Sequence, residues 1–303
     1  MSDFFNSGWS IFVAATTILS LVFCLALLVI AARRRVMAND NTTGHVWDED
    51  LRELNNPLPR WWMWLFVITV VFSAIYLTFY PGLGSRQGTL NWSSVSQYQD
   101  EQAKARAAAA PIFAAFAAKP AHELARDPKA MAVGERLFAN NCATCHGADA
   151  RGSKGFPNLA DRDWLWGGAP ETIAETITKG RNGMMPPMAA AVGNAEEVRN
   201  VANYVLSLSN SPHDSIAASA GKAKFAACAA CHGPEGKGNP ALGAPNLADN
   251  TWLHGWGEDA VIAMVSKGKT NVMPAHGARF TKEEIHVLAA YVWSLSNPPT
   301  TAH

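Results

Sequence analysis

Apolar and polar positions alternate differently in three stretches of the chain. Trp9 to Ala32 is an unbroken run with no charged residue, followed at once by Arg33-Arg34-Arg35. Trp61 to Tyr80 is a second uncharged run, entered through Trp61, Trp62 and Trp64. Each is long enough to cross a bilayer as a helix, and the tryptophans resemble an interfacial aromatic belt. From Gly84 to about Ala130 the chain is polar and then alanine-rich, with Pro111, Pro120 and Pro128 as breaks, which predicts linked helical pieces. Beyond this the periodicity is helical. Short helices are predicted over Val133 to Asn140, Glu171 to Lys179 and Glu196 to Leu208, the last with Val198, Val201, Ala202, Val205 and Leu208 on one face. Ile285, Leu288, Ala289, Val292 and Leu295 repeat that face near the C-terminus, behind a capping box at Thr281-Lys282-Glu283-Glu284. The predicted fold is mostly α.

The second half of the chain is an internal repeat. Pro157-Asn158-Leu159-Ala160-Asp161 answers Pro245-Asn246-Leu247-Ala248-Asp249, Trp164 answers Trp252, Lys179-Gly180 answers Lys267-Gly268, and Tyr204 to Asn210 answers Tyr291 to Asn297. Each copy opens on a C-x-x-C-H motif, Cys142-Ala143-Thr144-Cys145-His146 and Cys228-Ala229-Ala230-Cys231-His232. This is the attachment signature of a c-type haem: two thiols add to the vinyl groups, and the adjacent histidine is placed beneath the iron. A redox dithiol gives no reason for the histidine, and a zinc site would need the two pairs to converge on one metal. Each pair has its own histidine, glycine-rich loop and downstream Met-Pro. Two covalently bound haem c groups are therefore expected.

A second axial ligand is available in each copy. Met185-Pro186 lies 39 residues beyond His146, and Met273-Pro274 lies 41 beyond His232. The first copy also offers Met184 and Met188, but only Met185 matches the repeat. The expected iron ligands are His146, Met185, His232 and Met273, with each methionine serving either its own module's haem or its neighbour's. Histidine and thioether together fill both axial sites, which suits outer-sphere electron transfer.

Charge balances at 25 basic and 25 acidic residues, so no strong docking field and no nucleic-acid role is supported. No catalytic residues emerge: there is no Ser-His-Asp arrangement, phosphate-cradling loop or outstanding carboxylate pair. The segment between the apolar runs carries Arg33, Arg34, Arg35, Arg52 and Arg60, whereas nothing before Trp9 is basic, which predicts a cytoplasmic loop with both termini outside. Bacterial attachment of haem to C-x-x-C-H is completed on the outer face of the cytoplasmic membrane, which requires the same topology. Cys24 reads as a small apolar residue within the first span, and His45 as an ordinary loop residue. The expected organisation is a membrane anchor over 1–83, a linker over 84–130 and haem modules over 131–212 and 213–303.

The residues from Met131 to Asn210 and from Ala217 to Asn297 resemble the class I cytochrome c fold. The resemblance implies that the carbonyls of Pro157 and Pro245 accept the Nδ1 proton of each haem histidine. Thr43-Gly44-His45-Val46-Trp47-Asp48, then Leu54-Asn55-Asn56-Pro57-Leu58-Pro59-Arg60-Trp61-Trp62, and Tyr80-Pro81-Gly82-Leu83-Gly84 resemble the anchor of the dihaem subunit (subunit III, CcoP/FixP-type) of cbb3-type cytochrome c oxidases. Some members of that family have one anchoring helix where two are expected here.

This resemblance implies a non-catalytic electron-transfer subunit. It would pass electrons from a soluble periplasmic cytochrome c donor through two haems toward a monohaem cytochrome c subunit and a haem-copper catalytic subunit. It would sit in the inner membrane among lipid, with its haem modules periplasmic. The alternatives are a membrane-anchored dihaem carrier for another periplasmic redox enzyme, and a haem-based sensor or reductase with a displaceable methionine.

Overall fold

The structure is a computed structural model that describes residues 6–33, 41–56 and 58–298. Arg34, Arg35 and Pro57, which enter the charge and motif readings above, lie outside the described residues. The chain divides into two compact units, Met1–Ala108 and Ala109–His303.

The first unit contains α1 (Ser7–Ala32), a hairpin of β1 (Thr42–Trp47) and β2 (Leu51–Leu54), α2 (Arg60–Phe79) and the start of α3 (Ser94–Ala117). Helices α1 and α2 are both long and apolar enough to cross a membrane, over 26 and 20 residues. Asn6 opens α1 by accepting the Trp9 amide, at 3.2 Å. Most large side chains on both helices are exposed in the isolated chain. So much apolar surface calls for apolar surroundings. The segment between them, expected only as a loop, is an antiparallel hairpin with Trp47 opposite Leu51. Glu53 fastens it by accepting from Trp47 Nε1 at 2.9 Å and Thr43 Oγ1 at 3.0 Å. The turn is the acidic run Asp48-Glu49-Asp50, in which Asp48 and Glu49 have positive φ. That conformation is tolerated by few residues, and nothing in the acidic composition announces it.

The second unit holds the remainder of α3, then α4 (Ala121–Leu124), α5 (Pro128–Asn141), α6 (Ala143–His146), α7 (Pro170–Lys179), β3 (Arg181–Met185), α8 (Ala189–Val192) and α9 (Ala195–Leu208). It continues through α10 (Ser215–Gly221), α11 (Ala226–His232), α12 (Glu258–Lys267), β4 (Lys269–Met273) and α13 (Lys282–Ser296). Local chemistry accounts for the helix starts. Asp127 caps α5, Pro170 opens α7, and reciprocal capping boxes start α9 at Asn194 and α13 at Thr281.

The two repeats exchange their C-terminal parts. Around Phe138 and Cys142 the core is completed by Ile285, Leu288, Ala289 and Val292 of α13 and by Met273, all from the second repeat. Around Phe225 and Cys228 it is completed by Val198, Val201, Val205 and Leu206 of α9 and by Met185, all from the first. Two glycines admit these crossings. A Cβ on Gly134 of α5 would collide with Tyr291 of α13, and one on Gly221 of α10 with the backbone of Asn200 in α9. The core around Cys228 is thus one continuous stretch of chain, while the core around Cys142 is split and closes over it. The end of the linker is absorbed as well: Phe116, Ala121, Leu124 and Ala130 pack with Val287 and Ala290 of α13.

Leu288 is fully buried in the split core. Leu288→Ala is expected to cost about 2–5 kcal/mol and to loosen the haem site at Cys142 rather than the one at Cys228. Thermal unfolding followed at each haem's absorbance checks this.

Candidate functional site

Each C-x-x-C-H motif sits where a helix turns into a loop. Cys142 ends α5 and His146 ends α6, while Cys228 and His232 lie within α11. The geometry around the two histidines is the same. His146 Nδ1 lies 3.0 Å from the Pro157 carbonyl, and His232 Nδ1 lies 3.0 Å from the Pro245 carbonyl. A carbonyl only accepts, so Nδ1–H donates in both rings and the Nε2 lone pair is free to bind a metal. Burial pushes the His146 pKa down, which keeps that ring neutral and able to ligate at neutral pH. Burial also pushes up the Cys142 and Cys228 thiols, while Cys145 and Cys231 are exposed.

The methionines are separated by their strands. β3 pairs antiparallel with β4, with Gly183 opposite Asn271 at the centre. Alternation turns Met184 outward, 74% exposed, and turns Met185 inward against the core that holds Cys228. Met188 packs against the same core, and its amide donates to the Val265 carbonyl of α12 at 2.8 Å. Met273 faces the core that holds Cys142. Its loop is tied to the other repeat by the amides of His276 and Gly277, which donate to Ile177 and Thr178 of α7. Gly180 and Gly268 permit the crossing. Both have positive φ, and a Cβ on either would strike the backbone of the opposite Met-Pro segment. The structure therefore packs Met273 into the core that holds Cys142, and Met185 into the core that holds Cys228.

The residues packed around each motif suit a large planar apolar group: Leu159, Trp164, Ile173, Ile177 and Phe280 in the core of Cys142, and Val192, Leu247, Trp252, Val261 and Val265 in the core of Cys228. Among the described residues, Trp252 Nε1 is the buried side-chain polar atom with no hydrogen-bond partner. A buried indole N–H needs an acceptor, and the propionate of a haem in this pocket would supply one.

Where the repeats meet, Asp161, Asp163 and Asp249 cluster beside a cavity of about 290 Å³ lined by Asp163, Trp164, Lys237, Pro245 and Asn246. Burial, then the charges of Asp249 and Asp161, push the Asp163 pKa up to about 6. Several residues here carry no motif and were not anticipated. Trp166 lies against Gly243 of the other repeat, and Arg199 and Asn203 of α9 both bond Glu258 of α12.

Two family models match the chain. The N-terminal domain of the FixP subunit of cbb3 cytochrome oxidase matches residues 39–87, and subunit III of cbb3-type cytochrome c oxidase matches twice, over 129–205 and 217–292. The chain belongs to the cbb3-type cytochrome c oxidase subunit III (CcoP/FixP) family. It is 64% identical over 302 residues to a cbb3-type oxidase subunit CcoP of Rubrivivax gelatinosus, covering 100% of this chain and 99% of the relative. It is 42% identical over 272 residues to FixPc of Rhizobium leguminosarum bv. viciae (84% and 94% covered) and, over the same length, to FixP of Sinorhizobium medicae (84% and 93%). The mostly α fold with tandem cytochrome c-type domains is as the sequence led one to expect, and members of this CcoP/FixP family carry two covalently bound haem c groups.

The raised pKa of Asp163 gives a signed prediction. The folded protein holds a proton there that the unfolded chain has already released between about pH 4 and pH 6, so this contribution to stability is present at pH 4 and lost as pH rises through about 6. Asp163→Asn mimics the protonated form. Its unfolding temperature relative to the parent should improve between pH 4.5 and pH 7; a constant difference would contradict the burial argument.

Proposed function

We propose that this chain is the electron-transfer subunit of a cbb3-type oxidase, a two-haem relay in which each iron takes its histidine from one repeat and its methionine from the other. The observation that supports this is the crossed packing, in which Met273 lies in the core of Cys142 and Met185 in the core of Cys228. Cys142, Cys145 and His146 would hold one haem, with Met273 supplied by the other repeat. Cys228, Cys231 and His232 would hold the other, with Met185.

Bound in these pockets, the haems supply one-electron exchange between ferric and ferrous iron. The chain's own residues do the rest. His146 and His232 are held in one tautomer by the Pro157 and Pro245 carbonyls. The two methionines would occupy the positions an exogenous ligand would otherwise take, and the apolar side chains packed around them would limit access of water. No oxygen-reducing centre is assigned to the chain, in keeping with a subunit that serves a catalytic partner.

Helices α1 and α2 cross the inner membrane as a hairpin, with the arginine-bearing segment on the cytoplasmic side and both haem repeats in the periplasm. Electrons enter from a soluble periplasmic cytochrome c and leave toward the monohaem subunit and the haem-copper subunit.

Purification of the tagged protein from its native membrane in mild detergent tests the functional reading. Haem b, copper and oxygen uptake should travel with the haem c; two haems c and nothing else would favour the anchored carrier for a different enzyme. The crossed ligation has its own test in a single-haem protein made by Cys142→Ala with Cys145→Ala. Adding Met185→His should lower the potential of the remaining haem and abolish its methionine-to-iron absorption, while Met273→His should leave both unchanged. The reverse outcome would return each methionine to its own repeat.

A further inference from the structure

The pseudo-symmetric ribbon that carries the methionines places a cation opposite each one. Arg181 of β3 is the register partner of Met273, and Lys269 of β4 is the register partner of Met185. Directly opposed residues in an antiparallel pair have Cβ atoms about 4.5–5.5 Å apart and share a face. The two cations differ in how they are held.

The Arg181 side chain is 19% exposed. Its Nε donates to Thr176 Oγ1 at 2.9 Å, and its guanidinium lies over the Trp166 ring, 5.1 Å from the centroid. Lys269 is exposed, and at the repeat position of Trp166 stands His254, whose ring bonds Asn271 at 2.7 Å rather than holding the lysine. Glu175 lies 3.7 Å from Arg181, but its other oxygen is 3.1 Å from Lys179, so one carboxylate is shared between two cations and the cluster keeps a net positive charge. Arg279 also acts on Cys142, from an exposed position that solvent screens more strongly.

We propose that Arg181 is a potential-setting residue for the haem at Cys142–His146, raising its reduction potential through a fixed, largely desolvated charge beside Met273, whereas its counterpart at the haem of Cys228–His232, Lys269, is exposed and unpinned. The proposal rests on Met273 serving the haem at Cys142. Reduction adds one electron and no proton to the iron, so a nearby cation favours the ferrous product, and does so more in a low-dielectric site than in water. The otherwise repeated haem sites are thereby made unequal by one side chain and the ring that pins it.

Redox titration of the full-length holoprotein tests this, with the wave of the Cys228 haem identified independently from the single-haem protein Cys142→Ala with Cys145→Ala. Arg181→Gln should lower the potential of the haem at Cys142 by about three- to tenfold in its reduced-to-oxidised ratio, a tenfold change being 59 mV for one electron. Arg181→Lys should restore most of it, which lost packing alone would not allow. Glu175→Gln should move the same wave the opposite way, and Lys269→Gln should move the Cys228 wave by less than Arg181→Gln moves its own. An unshifted wave in Arg181→Gln with methionine ligation intact overturns the charge argument. A shift confined to the Cys228 haem overturns the proposal through the ligand assignment instead, and Met273→His altering that same haem would identify that as the cause.

Discussion

The antiparallel pairing of β3 with β4 is the constraint on which the rest of the second unit depends. Five residues of each repeat meet there, and each strand ends at or next to a methionine that faces the other repeat's core. A short two-stranded ribbon is marginal alone. Here it is held at both ends, because its strands follow directly from α7 and α12 and run into Met-Pro loops bonded to those same helices. Glycines at 180 and 268 let the backbones pass close enough for this to happen. Once the strands cross, the helices that follow are committed to the opposite cores.

This arrangement ties the two haem sites into one object. A tandem repeat with private cores could lose one module and keep the other. In the exchanged form, α13 completes the core that α5 and α6 begin near the start of the unit, so the first haem motif depends on the last helix among the described residues. The pocket around Cys228 lies within a continuous stretch and carries a further clamp, in which Arg199 bonds Glu258 at 2.7 Å and the buried Asn203 bonds the same carboxylate at 2.9 Å. Such clamps are worth little on a surface, but Asn203 is buried and leaves its partner little freedom.

Much of this was legible in the sequence because it follows from local chemistry. The C-x-x-C-H motifs, the repeat offset and the 3.6-residue periodicity of Val198 to Leu208 and Ile285 to Leu295 led to helices that the structure places at α9 and α13. The proline carbonyls fell where the resemblance to class I cytochromes c put them, and both apolar runs are helices. The partner of each methionine was beyond sequence reasoning. The repeat makes Met185 and Met273 equivalent, and equivalence is satisfied by either private or exchanged packing. The helix-crossing glycines 134 and 221 also occupy matching repeat positions, but matching says that both are needed and not which helix each one meets. The β1–β2 hairpin was missed for a different reason: its acidic turn lacks the Asn-Gly or Gly-rich signal by which tight turns are usually found.

The central claim is that the iron above His146 is bound by Met273. A crystal structure of the haem-loaded protein, with the irons located by their anomalous scattering, tests it most directly. The account predicts density joining the Met273 sulfur to the iron whose other axial ligand is His146, and the Met185 sulfur to the iron above His232. Density joining Met185 to the His146 iron would contradict the exchange, and with it the reading of the ribbon as the element that couples the two haems.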